Sequence, residues 1–115
     1  MIPVEIEFQT RKLQRIFNSA AELKREYGDR MARCIMLRLE VLRASPTLAE
    51  VPTSKPIRCH TLKGNRKGCF AVDLIHPYRL LFRPGDESIS WKADGGLDLS
   101  RVNSIQITEV VDYHD

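Results

Sequence analysis

The chain lacks any hydrophobic run that approaches the roughly 20 apolar residues of a membrane-spanning helix, so we expect no membrane span. Its N-terminal stretch, MIPVEIEF, carries acidic side chains where a secretory signal would carry basic ones. Export is therefore not expected, and we predict a cytoplasmic protein. Internal repeats and low-complexity segments are absent from the 115 residues, a length that suits a single domain, 1–115, with one hydrophobic core.

Cysteine is scarce and lacks the spacing of a metal site. The three cysteines, Cys34, Cys59 and Cys69, are odd in number and include no CxxC pair. Reduced thiols in a cytosol are the simplest interpretation. A zinc site built on Cys59 and His60 would need distant ligands that no spacing indicates. We therefore expect neither a metal nor another cofactor.

Acidic residues are absent from the window between Val51 and Val72, which is rich in basic ones. The basic side chains of this window are Lys55, Arg58, Lys63, Arg66 and Lys67. They give the window a formal charge of +5 while the whole chain carries +3, so the positive charge is local. A local basic hairpin indicates a site for phosphate or another anion.

Alternation of apolar and polar residues predicts strands at 2–8, 57–62, 69–75, 78–83 and 104–111. On each strand, every second side chain should face the core. The core positions so predicted are Ile2, Val4, Ile6 and Phe8, then Phe70, Val72 and Leu74, then Tyr78, Leu80 and Phe82, and finally Ile105, Ile107 and Val111. Arg79 should point to the opposite face. Residues 84–103 are predicted to form a long loop anchored by Trp91.

Helical spacing of apolar residues predicts helices near 11–27 and 29–44. The first helix either runs through or restarts at Ser19, which with Glu22 fits a capping box. Gly28 should end it and Asp29 should cap the next. The expected class is α+β, with an N-terminal strand and a helical hairpin packed on an antiparallel sheet.

Two histidines are the candidate proton-transfer groups, because imidazole titrates near neutral pH. His60 lies in the strand that leads into the basic hairpin, and His114 lies in the terminal Asp112-Tyr113-His114. If the last strand runs beside the hairpin, acid–base groups, cations and an aromatic ring would share one face. Such a set suits metal-free RNA cleavage, with Lys63, Arg66, Lys67 and Arg79 as the phosphate-binding cations.

These residues also carry a resemblance to a known family. The stretch CHTLKGNRKGCFAVDLIHPYRLLFRP, with the terminal EVVDYH, resembles the RelE/ParE toxin superfamily, and most of all the HigB-type killer proteins of type II toxin–antitoxin systems. Their pattern HxLKGxRKGxF…YRLxF…VxDYH is matched at His60, Leu62, Lys63, Gly64, Arg66, Lys67, Gly68, Phe70, Tyr78, Arg79, Leu80, Phe82, Asp112, Tyr113 and His114.

The resemblance implies a RelE-like fold and a ribosome-dependent mRNA endoribonuclease that inhibits translation and is held inactive by a helix-turn-helix antitoxin. It implies catalytic roles for His60, Asp112, Tyr113 and His114. Two alternatives stay open: a gyrase inhibitor of the ParE kind, and a degenerate homologue that acts as a binding module. The 84–103 segment is longer than a compact member of the family needs, which leaves ribosome docking and antitoxin contact less determined than the fold.

Overall fold

The structure is a computed structural model that describes residues 4–85 and 96–112. The elements in these ranges are β1 (Glu5–Phe8), α1 (Arg11–Phe17), α2 (Ala20–Tyr27), α3 (Asp29–Ala44), β2 (His60–Thr61), β3 (Phe70–Asp73), β4 (Tyr78–Pro84) and β5 (Ser104–Asp112). Short 3-10 turns lie at 48–50, 64–66 and 99–101. The α+β class expected from the sequence is confirmed. Trp91 and the rest of 86–95 lie outside the described residues.

The segment predicted as a helix near 11–27 is two helices, each begun by a hydroxyl cap. Thr10 Oγ1 accepts a hydrogen bond from the Leu13 amide at 3.1 Å. Ser19 Oγ accepts one from the Glu22 amide at 3.2 Å. Each cap satisfies an amide that has no partner inside its helix, which stabilises a helix start by about 1 kcal/mol. The restart at Ser19 that the sequence allowed is therefore what the chain adopts.

The junction between α2 and α3 depends on Gly28 alone. Gly28 has a φ of 87°, a conformation that costs little only without a Cβ atom, and it is the N-cap residue of α3. The prediction that Asp29 caps α3 is wrong, because no side chain caps this helix. Asp29 instead pairs with Lys24 at 3.7 Å and Arg33 at 3.8 Å on the surface.

Among the described helices, none is long and apolar enough to cross a membrane.

The strands form one sheet in the order β1-β5-β4-β3-β2. Pairing is antiparallel from β2 through β5, as expected. β1 differs: it runs parallel to β5, with Glu5 opposite Ser104 and Phe8 opposite Ile107. A parallel pair needs a long crossover connection, and here the whole helical region and three other strands separate the two. The sheet is thus mixed rather than wholly antiparallel.

The strand predicted at 57–62 is much shorter in the structure, where β2 covers only His60–Thr61. Arg58 interrupts it with a φ of 47°, in the left-handed region that a strand does not contain. The Cys59 amide then donates to the Pro52 carbonyl at 3.0 Å instead of joining a ladder. This break sets the position of Arg58 beside the end of β3.

The main core lies between the helices and one face of the sheet. The predicted core positions Phe70 and Val72 of β3, and Leu74 directly after it, are all buried there. So are Leu80, Phe82, Ile105 and Ile107, and the rings of Phe70 and Phe82 stack at 5.9 Å. From α3, the core receives Ile35, Leu39 and Leu42.

Two predicted core positions are wrong. Tyr78 is 42% exposed and is the first residue of β4, directly after the turn from β3. Val111 packs on the opposite face from Ile107. The cause is an irregular register: Leu81 pairs with Glu109 and Phe82 with Ile107, so Thr108 is an extra residue in β5. The bulge reverses the faces of all later side chains.

Candidate functional site

The face of the sheet that bears no helix carries three of the six predicted site residues that the structure describes, His60, Arg66 and Arg79. Residues paired across strands share a face, and so do residues two apart on one strand. One cross-strand row consists of His60, Ala71, Leu81 and Glu109. The next row consists of Asp73, Arg79 and Val111. From the spacing of strands, the Cα atoms of His60 and Arg79 lie on the order of 12 Å apart.

Under these polar groups lies a small apolar floor. Leu62, Ala71 and Leu81 are buried and pack together, and the half-buried Cys69 and Val111 pack against them. Apolar surroundings lower the local dielectric constant, which strengthens the interactions of the less exposed charges above them, Asp73 and Arg79, more than those of the exposed pair Arg66 and Glu109. We call this surface, defined by His60, Arg66, Arg79, Asp73 and Glu109 above that floor, the polar face.

The ring of His60 is held in one tautomer. Its Nδ1 lies 2.7 Å from the Arg58 carbonyl oxygen, which can only accept a hydrogen bond. Nδ1 therefore carries the proton, and Nε2 of the neutral ring presents a lone pair. Nε2 is buried and has no hydrogen-bond partner among the described residues. An imidazole nitrogen with a lone pair can take a proton from a hydroxyl group, but this atom is covered in the free protein, so RNA binding must expose it first.

One carboxylate holds two arginine side chains. Asp73 accepts two hydrogen bonds from Arg58, at 2.7 and 3.1 Å, and lies 3.5 Å from Nε of Arg79. The Asp73 backbone is fixed as well: its amide donates to the Ile57 carbonyl at 2.9 Å, and its carbonyl accepts from Arg38 of α3 at 2.6 Å. Cations fixed before a substrate binds need no reorganisation to stabilise its charge.

The basic hairpin turns through two glycines with left-handed φ angles, Gly64 at 63° and Gly68 at 92°. Between them, Arg66 forms an ion pair with Glu109 of β5, which ties the hairpin down onto the polar face. Lys63 and Lys67 are exposed on the same turn. Lys67 also lines a separate, apolar cavity of about 440 Å³ beside Phe70 and Leu97.

The structure thus places His60, Arg66 and Arg79 on one face of the sheet, without direct contact among them, and places the other predicted site residues elsewhere. Asp112 ends the described part of β5 and pairs with Tyr78, in the row beyond Arg79 and on the alternate face. Tyr113 and His114 lie outside the described residues. Lys63 and Lys67 stand at the rim, on the hairpin turn.

Sequence reasoning missed Arg58, Asp73 and Glu109. Asp73 lies between Val72 and Leu74, whose side chains face the core. Strand alternation alone therefore predicts that Asp73 faces the opposite side, as Arg79 does. The sequence shows Arg58 only as one cation of the basic window and does not predict its pairing with Asp73. Glu109 was hidden by the bulge at Thr108, since uninterrupted alternation puts it on the face of Ile107.

The cysteines are free thiols, and Cys59, which precedes His60 in the chain, is buried in the main core. Burial raises the pKa of Cys59 to about 11, so this thiol stays protonated at neutral pH. Among residues 4–85 and 96–112, no three His, Cys, Asp or Glu side chains come close enough to hold a metal ion together.

Comparisons with known proteins place the fold. No protein-family model matches the chain, and no curated protein matches it either. A chain of the YoeB–YefM complex from Staphylococcus aureus has a similar structure, with a TM-score of 0.54 at 16% identity over 97% of this chain and 98% of that one. The YoeB/ParE toxin from Agrobacterium tumefaciens has a TM-score of 0.55 at 11% identity over 96% of this chain and 100% of that one. The expected RelE-like fold is confirmed.

Proposed function

We propose that this protein is the toxin of a type II toxin–antitoxin pair, of the HigB type within the RelE/ParE superfamily, and that it cleaves mRNA on the ribosome. Two supports are independent of each other: the fold is that of a protein described as a YoeB/ParE toxin, and the HxLKGxRKGxF and DYH motifs match residue by residue. The observation that carries the chemistry is the buried Nε2 of His60, fixed as a proton acceptor on the polar face.

The reaction begins at His60. Nε2 takes the proton of an RNA 2′-hydroxyl group, and the resulting 2′-oxygen attacks the adjacent phosphorus. The bond from phosphorus to the 5′-oxygen breaks, and a protonated group returns a proton to that oxygen. The products are a 2′,3′-cyclic phosphate and a 5′-hydroxyl end. This step needs no oxidant, and the scheme assigns no role to a metal ion. His114 is the proton donor in this scheme, with Asp112 orienting a histidine and Tyr113 stacking on a base.

Cations stabilise the negative charge that builds on the phosphate during attack. Arg79 and Arg66 lie on the polar face, where Asp73 and Glu109 fix their directions. Lys63 and Lys67 extend the positive charge along the rim of the hairpin. Removing one such fixed donor from an active site typically costs 10²–10³ in rate. The carboxylates of Asp73 and Glu109 would keep Arg79 and Arg66 in place between turnovers.

A protein partner belongs to this proposal. The structurally similar chain from Staphylococcus aureus comes from a complex of YoeB with YefM. We propose that this protein is likewise bound and inhibited by a cognate antitoxin that carries a helix-turn-helix domain. Complementary charge would draw that partner to the basic window.

The test is induced expression in growing cells with mapping of mRNA 5′-ends. Translation arrest with new ends at fixed codon positions supports the proposal, provided that His60→Ala and His114→Ala abolish both. DNA damage with intact mRNA would identify a gyrase inhibitor of the ParE kind. Normal growth with a folded, expressed protein would identify a binding module without toxicity.

A further inference from the structure

A second polar pocket lies at the end of the sheet, next to the polar face. It has a volume of about 310 Å³ and sits at the turn between β3 and β4. Its polar lining consists of Lys55, Arg58, Asp73, His76, Tyr78 and Arg79. His60 and Arg66 are not part of it. Asp73 and Arg79 belong to both sites, so a ligand in the pocket would adjoin the groups that we assign to cleavage.

The pocket selects for an anion. Three of its side chains, Lys55, Arg58 and Arg79, are cationic, and Asp73 is its carboxylate, so the lining carries a net charge of about +2 with His76 neutral. Asp73 fixes Arg58 at 2.7 and 3.1 Å and lies 3.5 Å from Arg79. A bound phosphate would therefore meet guanidinium groups that are already ordered, which lowers the entropy cost of binding.

The backbone under the pocket is also built with some strain. Arg58 is the non-glycine residue with a positive φ, 47°, among the described residues. An arginine in the left-handed region costs roughly 1–2 kcal/mol, and such strain concentrates at binding and catalytic sites. From this position the Arg58 side chain reaches Asp73 while its carbonyl fixes the ring of His60. One strained residue thus links the pocket to the proton acceptor.

An aromatic ring completes the pocket. Tyr78 is 42% exposed, although Leu80 and Phe82 on the same strand are fully buried. An aromatic face beside several cations matches the two parts of a nucleotide, since bases stack on aromatic rings and phosphates bind cations. Tyr78 pairs with Asp112, the residue that precedes Tyr113 and His114. The pocket therefore adjoins the strand end that leads to the second histidine.

We propose that this pocket binds one nucleotide of single-stranded RNA beside the cleaved bond, with its base on Tyr78 and its phosphate on Lys55, Arg58 and Arg79. The position beside the cleaved bond rests on the proposed function, whereas nucleotide binding by the pocket does not. A free nucleotide offers the same chemistry as a nucleotide within a strand. The experiment below separates these two sources.

The test measures binding without cleavage. A fluorescent single-stranded 2′-O-methyl RNA has no free 2′-hydroxyl group and cannot be cut by the proposed route, so anisotropy reports affinity alone. Tyr78→Leu should weaken binding about 5- to 100-fold, the range for loss of one stacked base, while Tyr78→Phe should keep the affinity. Lys55→Gln should weaken binding and lower the dependence of log K on log salt by about 0.7. Lys12→Gln on α1 removes the same charge outside the pocket and should leave binding unchanged.

The outcomes distinguish the pocket from the nuclease. If Tyr78→Leu and Lys55→Gln both bind with wild-type affinity, the proposed nucleotide site is wrong, even if cells show mRNA cuts. The same holds if the wild-type protein does not bind the oligonucleotide. Pocket-dependent binding in a protein that cuts no mRNA on ribosomes supports the pocket and overturns the nuclease. Adenosine monophosphate that binds as tightly as the oligonucleotide would overturn the assignment to a strand. If Tyr78→Leu does not fold, the test depends on Lys55→Gln. An unchanged dependence of log K on log salt in that variant would refute phosphate binding by the pocket.

Discussion

Replacement of His60 should separate chemistry from stability. The ring makes one described hydrogen bond, Nδ1–H to the Arg58 carbonyl at 2.7 Å, and is only partly buried. Its loss in His60→Ala should therefore lower the free energy of unfolding by about 1 kcal/mol, which corresponds to a Tm decrease of about 4 °C for a domain of this size. Loss of the proton acceptor should slow cleavage by about 10²–10⁴.

The assay is cleavage of mRNA on programmed ribosomes, followed by primer extension, with urea unfolding of the same protein preparations. His60→Gln is the informative second variant, because its amide keeps a hydrogen-bonding group but takes no proton near neutral pH. It should restore stability and leave cleavage as slow as in His60→Ala. The control is Thr61→Ala, the exposed neighbour in β2 that pairs with Phe70 and takes the opposite face. Folded His60→Ala protein with a cleavage rate close to that of the wild type would refute the role of Nε2.

Further predictions concern the arginines, the carboxylate and the thiol near His60, and the basic window. Arg79→Ala should slow cleavage about 10²–10³-fold with the sheet intact by circular dichroism; an unchanged rate would remove Arg79 from the phosphate site. Asp73→Ala should lower the free energy of unfolding by about 2 kcal/mol in urea titrations, since half-buried Arg58 and Arg79 lose their shared carboxylate. Cys59→Ser should leave cleavage near wild type, because the thiol pKa of about 11 keeps it neutral. Because burial raises the thiol pKa from 9.0 to about 11, the unfolded protein loses this proton first as pH rises, so wild-type stability should fall by roughly 1 kcal/mol between pH 8 and 10, a loss that Cys59→Ser lacks. Antitoxin binding, measured by titration calorimetry, should weaken as salt rises; constant affinity would exclude an electrostatic contribution from the basic window.

Much of the fold follows from patterns within short stretches. The hydroxyl caps at Thr10 and Ser19 and the burial of Phe70, Val72 and Leu74 depend on neighbours within a few residues, so local physical chemistry determines them. The sequence motif and strand alternation likewise suffice to predict that His60 and Arg79 are site residues. The roles of Tyr113 and His114 remain predictions, since both residues lie outside those the structure describes.

Tertiary structure decided what depends on residues far apart in the chain. The parallel pairing of β1 with β5 joins the two ends of the described chain, and no local pattern encodes the direction of a distant partner. The bulge at Thr108 arises from the pairing of β5 with β4, and it alone brings Glu109 to the side of Arg66. Asp73 contacts two arginines because the left-handed backbone at Arg58 directs that side chain to the carboxylate that also pairs with Arg79. Side-chain alternation fixes which residues share a face of one strand, but the register between strands determines which charges meet, and register is set by the packing of the whole sheet.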